Sequence, residues 1–138
     1  MGNWFAKTPG GLGVKNGRLA ACPDSPNCVC SQEERESHHV AAFTFEGEAT
    51  VAFLRLIEVL KTWPRTRIVE QTDRYLHVEF TTPILRFVDD GEFLLSPEEH
   101  VIQVRSAARL GSHDFGVNRR RMEKLRKAFQ SASSHPAR

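Results

Sequence analysis

One stretch, His100 to Lys127, changes from one periodicity to another, and this change constrains the fold more than any other feature of the chain. From Val101 to Arg109, apolar or small residues alternate with polar ones, which is typical of a strand with one buried face. A glycine-containing turn follows, and Asp114 is a suitable helix cap. The pattern therefore predicts a strand, a turn and a helix that begins near Phe115 or Gly116.

The predicted helix combines an apolar stripe with strongly basic faces. Its inward residues are expected to be Phe115, Met122, Leu125 and Phe129. The segment from Arg105 to Lys127 has a net charge of +6, whereas the whole chain has +2. This segregation indicates either a contact surface for an anionic partner or a solvated helix face with basic residues near its C-terminus.

Three cysteines lie close together in the segment CPDSPNCVC, from Cys22 to Cys30. The two prolines stiffen a loop that would bring Cys22 and Cys28 within bonding distance. Because no export signal is recognised, we expect reduced thiols first and a Cys22–Cys28 disulfide second. The C-x₅-C-x-C spacing is not a known zinc pattern, so a metal site comes third and a nucleophile last, and we expect no metal or cofactor.

The middle of the chain predicts one helix and several strands. A strand at 40–46 precedes a helix at 48–63, which Pro64 ends, and further strands are expected at 66–71 and 75–82. In the last of these, Leu76, Val78 and Phe80 should be buried, and Tyr75, His77 and Glu79 exposed. The segment 84–95 fits either a hairpin at Asp90-Gly91 or a single strand with a bulge at Asp89-Asp90-Gly91, and we favour the bulged strand with a turn at 96–99.

These elements predict an α+β fold. We expect an antiparallel sheet of four to five strands with two helices on one face, in the order β-α-β-β-β-β-α. Residues 1–20 are expected to form an irregular arm, 21–130 a single domain and 131–138 a disordered tail. No run approaches the ~18 apolar residues of a membrane span, so we expect a soluble, cytoplasmic protein.

Three motifs resemble the domain-of-unknown-function family 1499. They are CPDSPNC, FVDDGEF and VRSAARLGSHDFGVNRRRMEKLR, and the resemblance extends from about Leu12 to Phe129. Ala108 stands where serine is common in that family, and Gly91 where an aliphatic residue is common, which favours the bulge. Many relatives have a signal or membrane anchor, which is not recognised in this sequence. The family has no established reaction, so the resemblance implies a fold rather than an activity.

The clustered arginines suggest a binding module for a small anionic ligand or an acidic partner. Arginine forks suit carboxylates and phosphates, and we expect the last strand and helix to bring the ligand-binding residues together. The expected ligand-binding residues are Arg105, Ser106, Arg109, Asn118 and Arg119. The acids expected to orient them are Asp89, Asp90, Glu92 and Asp114.

Two alternatives use the same residues. The arginines and acids would form a purely structural ion-pair network that fixes the last helix to the sheet. An enzyme would use Asp89, Asp90 and Glu92 as acid, base or ion ligands, although no catalytic motif is present and we favour a non-enzyme. Specific nucleic-acid binding is not expected, because the net charge is small and no aromatic residues interleave the arginines.

Overall fold

The computed structural model describes residues 9–133, which form six strands and two helices. The strands are β1 (Cys28–Cys30), β2 (Phe43–Thr44), β3 (Thr66–Gln71), β4 (Tyr75–Thr81), β5 (Val88–Ser96) and β6 (Val101–Ala108). The helices are α1 (Ala49–Lys61) and α2 (Val117–Ser133). Short 3₁₀ turns lie at Glu36–His38 and Pro97–Glu99.

All the strands belong to one antiparallel sheet. Its order is β1-β6-β5-β4-β3, and β2 pairs with the first residues of β6. The predicted α+β class and antiparallel sheet are confirmed, but the described residues contain six strands where four to five were expected. The additional strand is β1, in the cysteine segment, where Val29 pairs with Ser106. A three-residue strand is too short to show a periodicity, which is why the sequence pattern did not reveal it.

The helices cover one face of the sheet, which we term the helix face. Their buried side chains pack on fully buried strand residues such as Phe43 and Phe93. The helix residues in this core include Phe53, Leu56, Leu60, Met122, Leu125 and Phe129. Burial of each large apolar side chain stabilises the fold by about 1.5–3 kcal/mol. The predicted inward stripes of both helices are therefore confirmed, with one exception.

The exception is Phe115, which is 88% exposed. Its φ of 55° and the φ of 77° at Gly116 turn the chain before α2, so the helix begins only at Val117. Asp114 caps this helix as expected, because its carboxylate accepts the backbone N–H groups of Gly116 and Asn118. The prediction began the helix near Phe115 or Gly116, and it therefore assigned Phe115 to the buried stripe by mistake.

Strand β5 is continuous, and no bulge interrupts its pairing with β4 or β6. The expectation of a single strand is thus confirmed, but the strand begins at Val88 rather than Ile84, and the expected bulge at Asp89-Asp90-Gly91 is wrong. Gly91 serves a packing purpose instead. A Cβ atom there would lie 2.4 Å from Cε2 of Phe80, so no larger residue fits without displacing that ring. The turn expected after β5 is present as the 3₁₀ turn at Pro97–Glu99.

The opposite face of the sheet, which we term the arm face, is covered in part by the irregular segment 9–27. Leu19 and Cys22 from this segment pack against Tyr75 and Leu94. Tyr75 and His77 are consequently buried, and the expectation that they are exposed is wrong. Alternation along β4 identified the two faces correctly, but it cannot show that an arm covers the second face.

The predictions for the two ends of the chain can be compared with the structure only in part. Residues 131–133 continue α2, so the predicted tail does not begin at Ser131. The remainder of that prediction, and residues 1–8 of the predicted arm, lie outside the described residues. Among residues 9–133, neither helix has the length and apolar character needed to cross a membrane.

Candidate functional site on the arm face

Cross-strand pairing gathers polar side chains in the middle of the arm face. Residues that are paired on neighbouring antiparallel strands point to the same face. The register of β4, β5 and β6 therefore forms two polar rows. From β4 to β6, these rows are Glu79–Asp90–Ala107 and His77–Glu92–Arg105.

Arg109, which follows β6, binds the first row. Its Nε donates to Oδ2 of Asp90 at 3.0 Å, and its Nη2 donates to Oδ1 of Asp90 at 2.7 Å. The same Nη2 lies 2.9 Å from Oε2 of Glu79, which also accepts from Arg67 through its other oxygen. His77 Nε2 lies 2.7 Å from Oδ1 of Asp90. Asp90 therefore has two partners in a buried site, as a buried carboxylate requires.

The second row is linked to the arm. Glu92 is fully buried, and its Oε2 accepts hydrogen bonds from the Tyr75 hydroxyl and from the backbone N–H of Gly13. Arg105 Nε donates to the carbonyl of Ala20 at 2.9 Å, and its Nη2 reaches the carbonyl of Ala21 at 3.4 Å. Backbone groups of the arm thus provide partners that no side-chain pattern predicts.

The charges of this cluster follow from its partners. Burial is the largest influence on Asp90 and acts to raise its pKa, but hydrogen bonds from His77 and Arg109 outweigh burial and lower that pKa. The hydrogen bond to Asp90 is the main cause that raises the pKa of Arg109. Burial, followed by the hydrogen bond to Glu92, raises the pKa of Tyr75. Asp90 is ionised, Arg109 charged and Tyr75 neutral near neutral pH.

A cavity of about 250 Å³ lies between the arm and the sheet at the edge of this cluster. Its charged lining consists of the two guanidiniums of Arg105 and Arg109 and the carboxylate of Asp90. Asn27 and Ser25 of the disulfide loop also line the cavity. The cavity is therefore lined by guanidinium and amide donors and one carboxylate, and its residues come from the arm, the disulfide loop and the sheet with the loop after β6.

Four of the predicted site residues, Ser106, Asn118, Asp114 and Asp89, lie instead on the helix face or at the start of α2. Ser106 Oγ donates to Oδ1 of Asn118 at 2.5 Å, and the Asn118 amide donates to Asp114. Asp89 lies 2.9 Å from Nη2 of Arg121. Burial raises the pKa of Asp89, and Arg121 offsets part of this effect. These contacts connect the start of α2 to β5 and β6, and all of the groups are buried or partly buried.

Arg119 does not join Arg105 and Arg109. It lies on α2, and its guanidinium donates to the backbone carbonyls of Ser37 and His39 at 2.9 and 2.6 Å. Strand alternation directs Arg105 to the arm face, whereas α2 packs on the helix face. The expected convergence of the three guanidiniums is therefore wrong. For the same reason Asp89 is separated from Asp90 and Glu92, so these three acids do not form one group.

The cysteines also differ from the first expectation. Cys22 and Cys28 form a disulfide, and Cys30 is a buried free thiol whose pKa is raised by burial. Reduced thiols at 22 and 28 were expected first, but the prolines of the loop bring the two sulfurs together, as in the second alternative. Within residues 9–133, no three His, Cys, Asp or Glu side chains are placed to hold a metal ion together.

His77, Tyr75 and Glu79 of the cluster, and Asn27 of the cavity lining, were not predicted from the sequence. One signal was available: Asp90 and Glu92 alternate with apolar residues in a strand whose neighbours also place charges on that face. Carboxylates in the middle of a sheet need partners, so residues of the adjacent strands were candidates.

The sequence of the chain was compared with known proteins and protein families. A search of curated proteins gave no match. A family model described as "Protein of unknown function (DUF1499)" matches residues 18–129. This range includes both helices' buried stripes, all six strands and the polar cluster, and it agrees with the resemblance of the three motifs. The chain is a member of the DUF1499 family.

Proposed function

We propose that the domain is a binding module that holds a small anionic group in the cavity between the arm and the sheet. The main support is Arg105, which lines this cavity and is 8% exposed. Its Nη1 has a single charged neighbour among residues 9–133, Oε1 of Glu92, at 3.6 Å. This distance exceeds a hydrogen bond, so the donors on Nη1 are available to a ligand.

The size and chemistry of the cavity suit a carboxylate or phosphate group. Pockets for drug-sized ligands measure about 300–1,000 Å³, so a volume of about 250 Å³ favours a smaller ligand. The charged groups of the lining are those of Arg105, Arg109 and Asp90, whereas Glu79 and Glu92, which also contact the two guanidiniums, are not part of the lining. Asn27 adds an amide to the lining, and its Nδ2 donates to the carbonyl of Gly111.

The proposed ligand-binding residues differ from the original set. Arg105 and Arg109 remain, and Asn27 is added because it lines the cavity. Ser106, Asn118 and Arg119 are omitted, because Ser106 and Asn118 bond to each other on the helix face and Arg119 donates to the carbonyls of Ser37 and His39. An enzyme that combines Asp89, Asp90 and Glu92 is not favoured, because the strand directs Asp89 to the other face.

A purely structural ion-pair network is the competing interpretation. Arg109 favours it, because two carboxylates already accept from this guanidinium. Under that interpretation Arg105 only fixes the arm through Ala20 and Ala21. The two interpretations differ in one measurable respect, since only a binding site gains stability from an added ligand.

Thermal unfolding with increasing inorganic phosphate, and separately acetate, tests the proposal at matched ionic strength. A site saturated at 100 times its Kd gains about 2.7 kcal/mol, whereas phosphate also stabilises proteins unspecifically by exclusion. The informative quantity is therefore the difference between wild type and variants. Arg105→Gln and Arg105→Lys should lose the specific rise, while Arg121→Gln, on the helix face, should retain it. Equal responses in wild type and Arg105→Gln would contradict the proposal.

The cytoplasmic location stays a prediction, and the Cys22–Cys28 disulfide argues against it. Disulfides persist in oxidising compartments and are rare in the reducing cytosol. Alkylation of thiols in intact cells followed by mass spectrometry distinguishes the cytosol from an oxidising compartment. A cytoplasmic protein should be modified at both cysteines, whereas the disulfide form should be modified only after reduction.

A further inference from the structure

The loops at one end of the sheet expose an unusual concentration of large apolar side chains. Antiparallel pairing places the β4–β5 loop and the β6–α2 loop side by side, because Thr81 pairs with Val88 and Asp89 with Ala108. The backbone N–H of Arg109 donates to the carbonyl of Val88 and joins the two loops. We term this group the apolar tip, and its members are Ile84, Leu85, Phe87, Leu110 and Phe115.

These side chains are directed into solvent by the backbone. Ile84 is 91% exposed with a φ of 67°, and Phe115 has a φ of 55°. A β-branched residue rarely adopts a positive φ, and such conformations concentrate at functional sites. Exposed apolar patches of this kind mark sites of interaction with proteins or membranes. The tip therefore requires a partner that offers an apolar environment.

The charges around the apolar tip identify the kind of partner. A groove beside it, between the α1–β3 turn and the start of α2, is lined by Trp63 and by basic residues. Apart from Arg121, which pairs with Asp89, the basic residues of this groove and of the adjoining loops include Arg65, Arg86, Arg120 and Lys124. The acids of the adjoining elements are already engaged, because Asp114 caps α2 and Asp89 pairs with Arg121. Positive charge is therefore in excess here.

We infer that the apolar tip docks on an anionic membrane surface. Such a surface accepts apolar side chains below its headgroups and attracts Lys and Arg through its negative potential. Trp63, which is partly buried against the core, adds an aromatic side chain to the groove beside the tip. A second copy of the chain fits less well, because a symmetric contact would place the same basic residues opposite one another.

Co-sedimentation of the full chain with lipid vesicles tests this inference. We expect binding to vesicles of phosphatidylcholine with phosphatidylserine, and little binding to pure phosphatidylcholine. Leu85→Ser with Phe115→Ser should weaken binding by about tenfold or more, because the inserted apolar area is lost. The matched control is Val51→Ser with Leu54→Ser, which removes two exposed apolar side chains from α1 and should leave binding unchanged.

Charge variants test the electrostatic part. Arg86→Glu and Lys124→Glu should each weaken binding by about fivefold or more. Arg74→Glu, in the turn at the opposite end of the sheet, should have little effect. The altered side chains are exposed, so urea unfolding midpoints should not change. No sedimentation with anionic vesicles, binding unaffected by Leu85→Ser with Phe115→Ser, or a wild-type dimer that this variant dissociates would each overturn the inference.

Discussion

Asp89 and Asp90 are neighbours in β5, yet they are held in different ways on opposite faces of the sheet. Asp89, on the helix face, lies beside the apolar core and has one guanidinium, that of Arg121, at 2.9 Å. Asp90, on the arm face, accepts from both His77 and Arg109. Both are buried, but the pKa of Asp89 is raised by burial, whereas the hydrogen bonds of Asp90 overcome burial and lower its pKa.

The difference shows how each face is stabilised. The helix face depends on apolar side chains that pack in a dense core, where each one contributes through its own buried area. The arm face depends on reciprocal charges, where the removal of one group leaves its partner buried and unpaired. Removal of a core side chain leaves no buried charge behind, whereas removal of a member of the arm-face cluster does.

The largest expected effect is that of Asp90→Ala. This change leaves Arg109 and His77 without their shared carboxylate and should lower the free energy of unfolding by about 3–5 kcal/mol. Asp73→Ala, in the exposed β3–β4 turn, should change it by less than about 0.5 kcal/mol. Urea unfolding monitored by circular dichroism measures both.

A double variant sharpens the comparison between the faces. Asp90→Ala with Arg109→Met removes both charges, and it should recover part of the loss, because Glu79 keeps Arg67 as a partner. Phe93→Ala on the helix face should also cost about 3–5 kcal/mol, but no second deletion restores it. If the double variant were less stable than Asp90→Ala alone, the reciprocal description of the arm face would be wrong.

A smaller effect is expected for Gly91→Ala on the helix face. The new Cβ would lie 2.4 Å from Cε2 of Phe80, and the ring is buried beneath the Arg121 guanidinium. Overpacking of this kind should lower the free energy of unfolding by about 1–3 kcal/mol. Gly10→Ala meets no atom within 4 Å and is the control. Phe80→Leu should relieve the Gly91→Ala loss in a double-mutant cycle, and additive losses would contradict the packing explanation.

The helix face was largely predictable from sequence. Period-two alternation in β4 identified Leu76, Val78 and Phe80, and helical spacing identified Met122 and Leu125. These patterns predict the buried residues correctly, because burial of one face against any apolar layer imposes the period of the strand or of the helix on the apolar residues. Phe115 was misplaced because positive φ values at Phe115 and Gly116 end the helical spacing. A positive φ at a phenylalanine cannot be predicted from its residue type.

The arm face was not predictable to the same extent. Alternation placed His77 and Arg105 on a polar face, which is usually solvated. Their burial depends on an arm without periodicity and on backbone carbonyls such as that of Ala20. Arg119 was assigned to the cluster because its position along the chain is close to that of Arg109. The face on which α2 packs decides the outcome, and a strand-turn-helix pattern does not specify that face.

The smallest effect, and the most direct test of the two faces, concerns pH. The pKa of Asp90 is lowered on folding, so its ionised form contributes stability above the unfolded pKa of about 3.9, and this stability is lost as the pH falls through the folded pKa. The pKa of Asp89 is raised, so its ionised form opposes folding at neutral pH. That cost disappears as the pH falls through the raised pKa and Asp89 becomes protonated.

Asp89→Asn and Asp90→Asn should therefore differ from wild type with opposite pH dependence. As the pH falls from about 7 to about 3, wild type should gain stability relative to Asp89→Asn and lose stability relative to Asp90→Asn. Urea unfolding at a series of pH values, at constant ionic strength, measures the two differences. Because both variants exchange a carboxylate for an amide of the same shape, the sign of each slope reports the protonation of one residue. Slopes of the same sign would mean that the partners of Asp90 do not distinguish the arm face from the helix face.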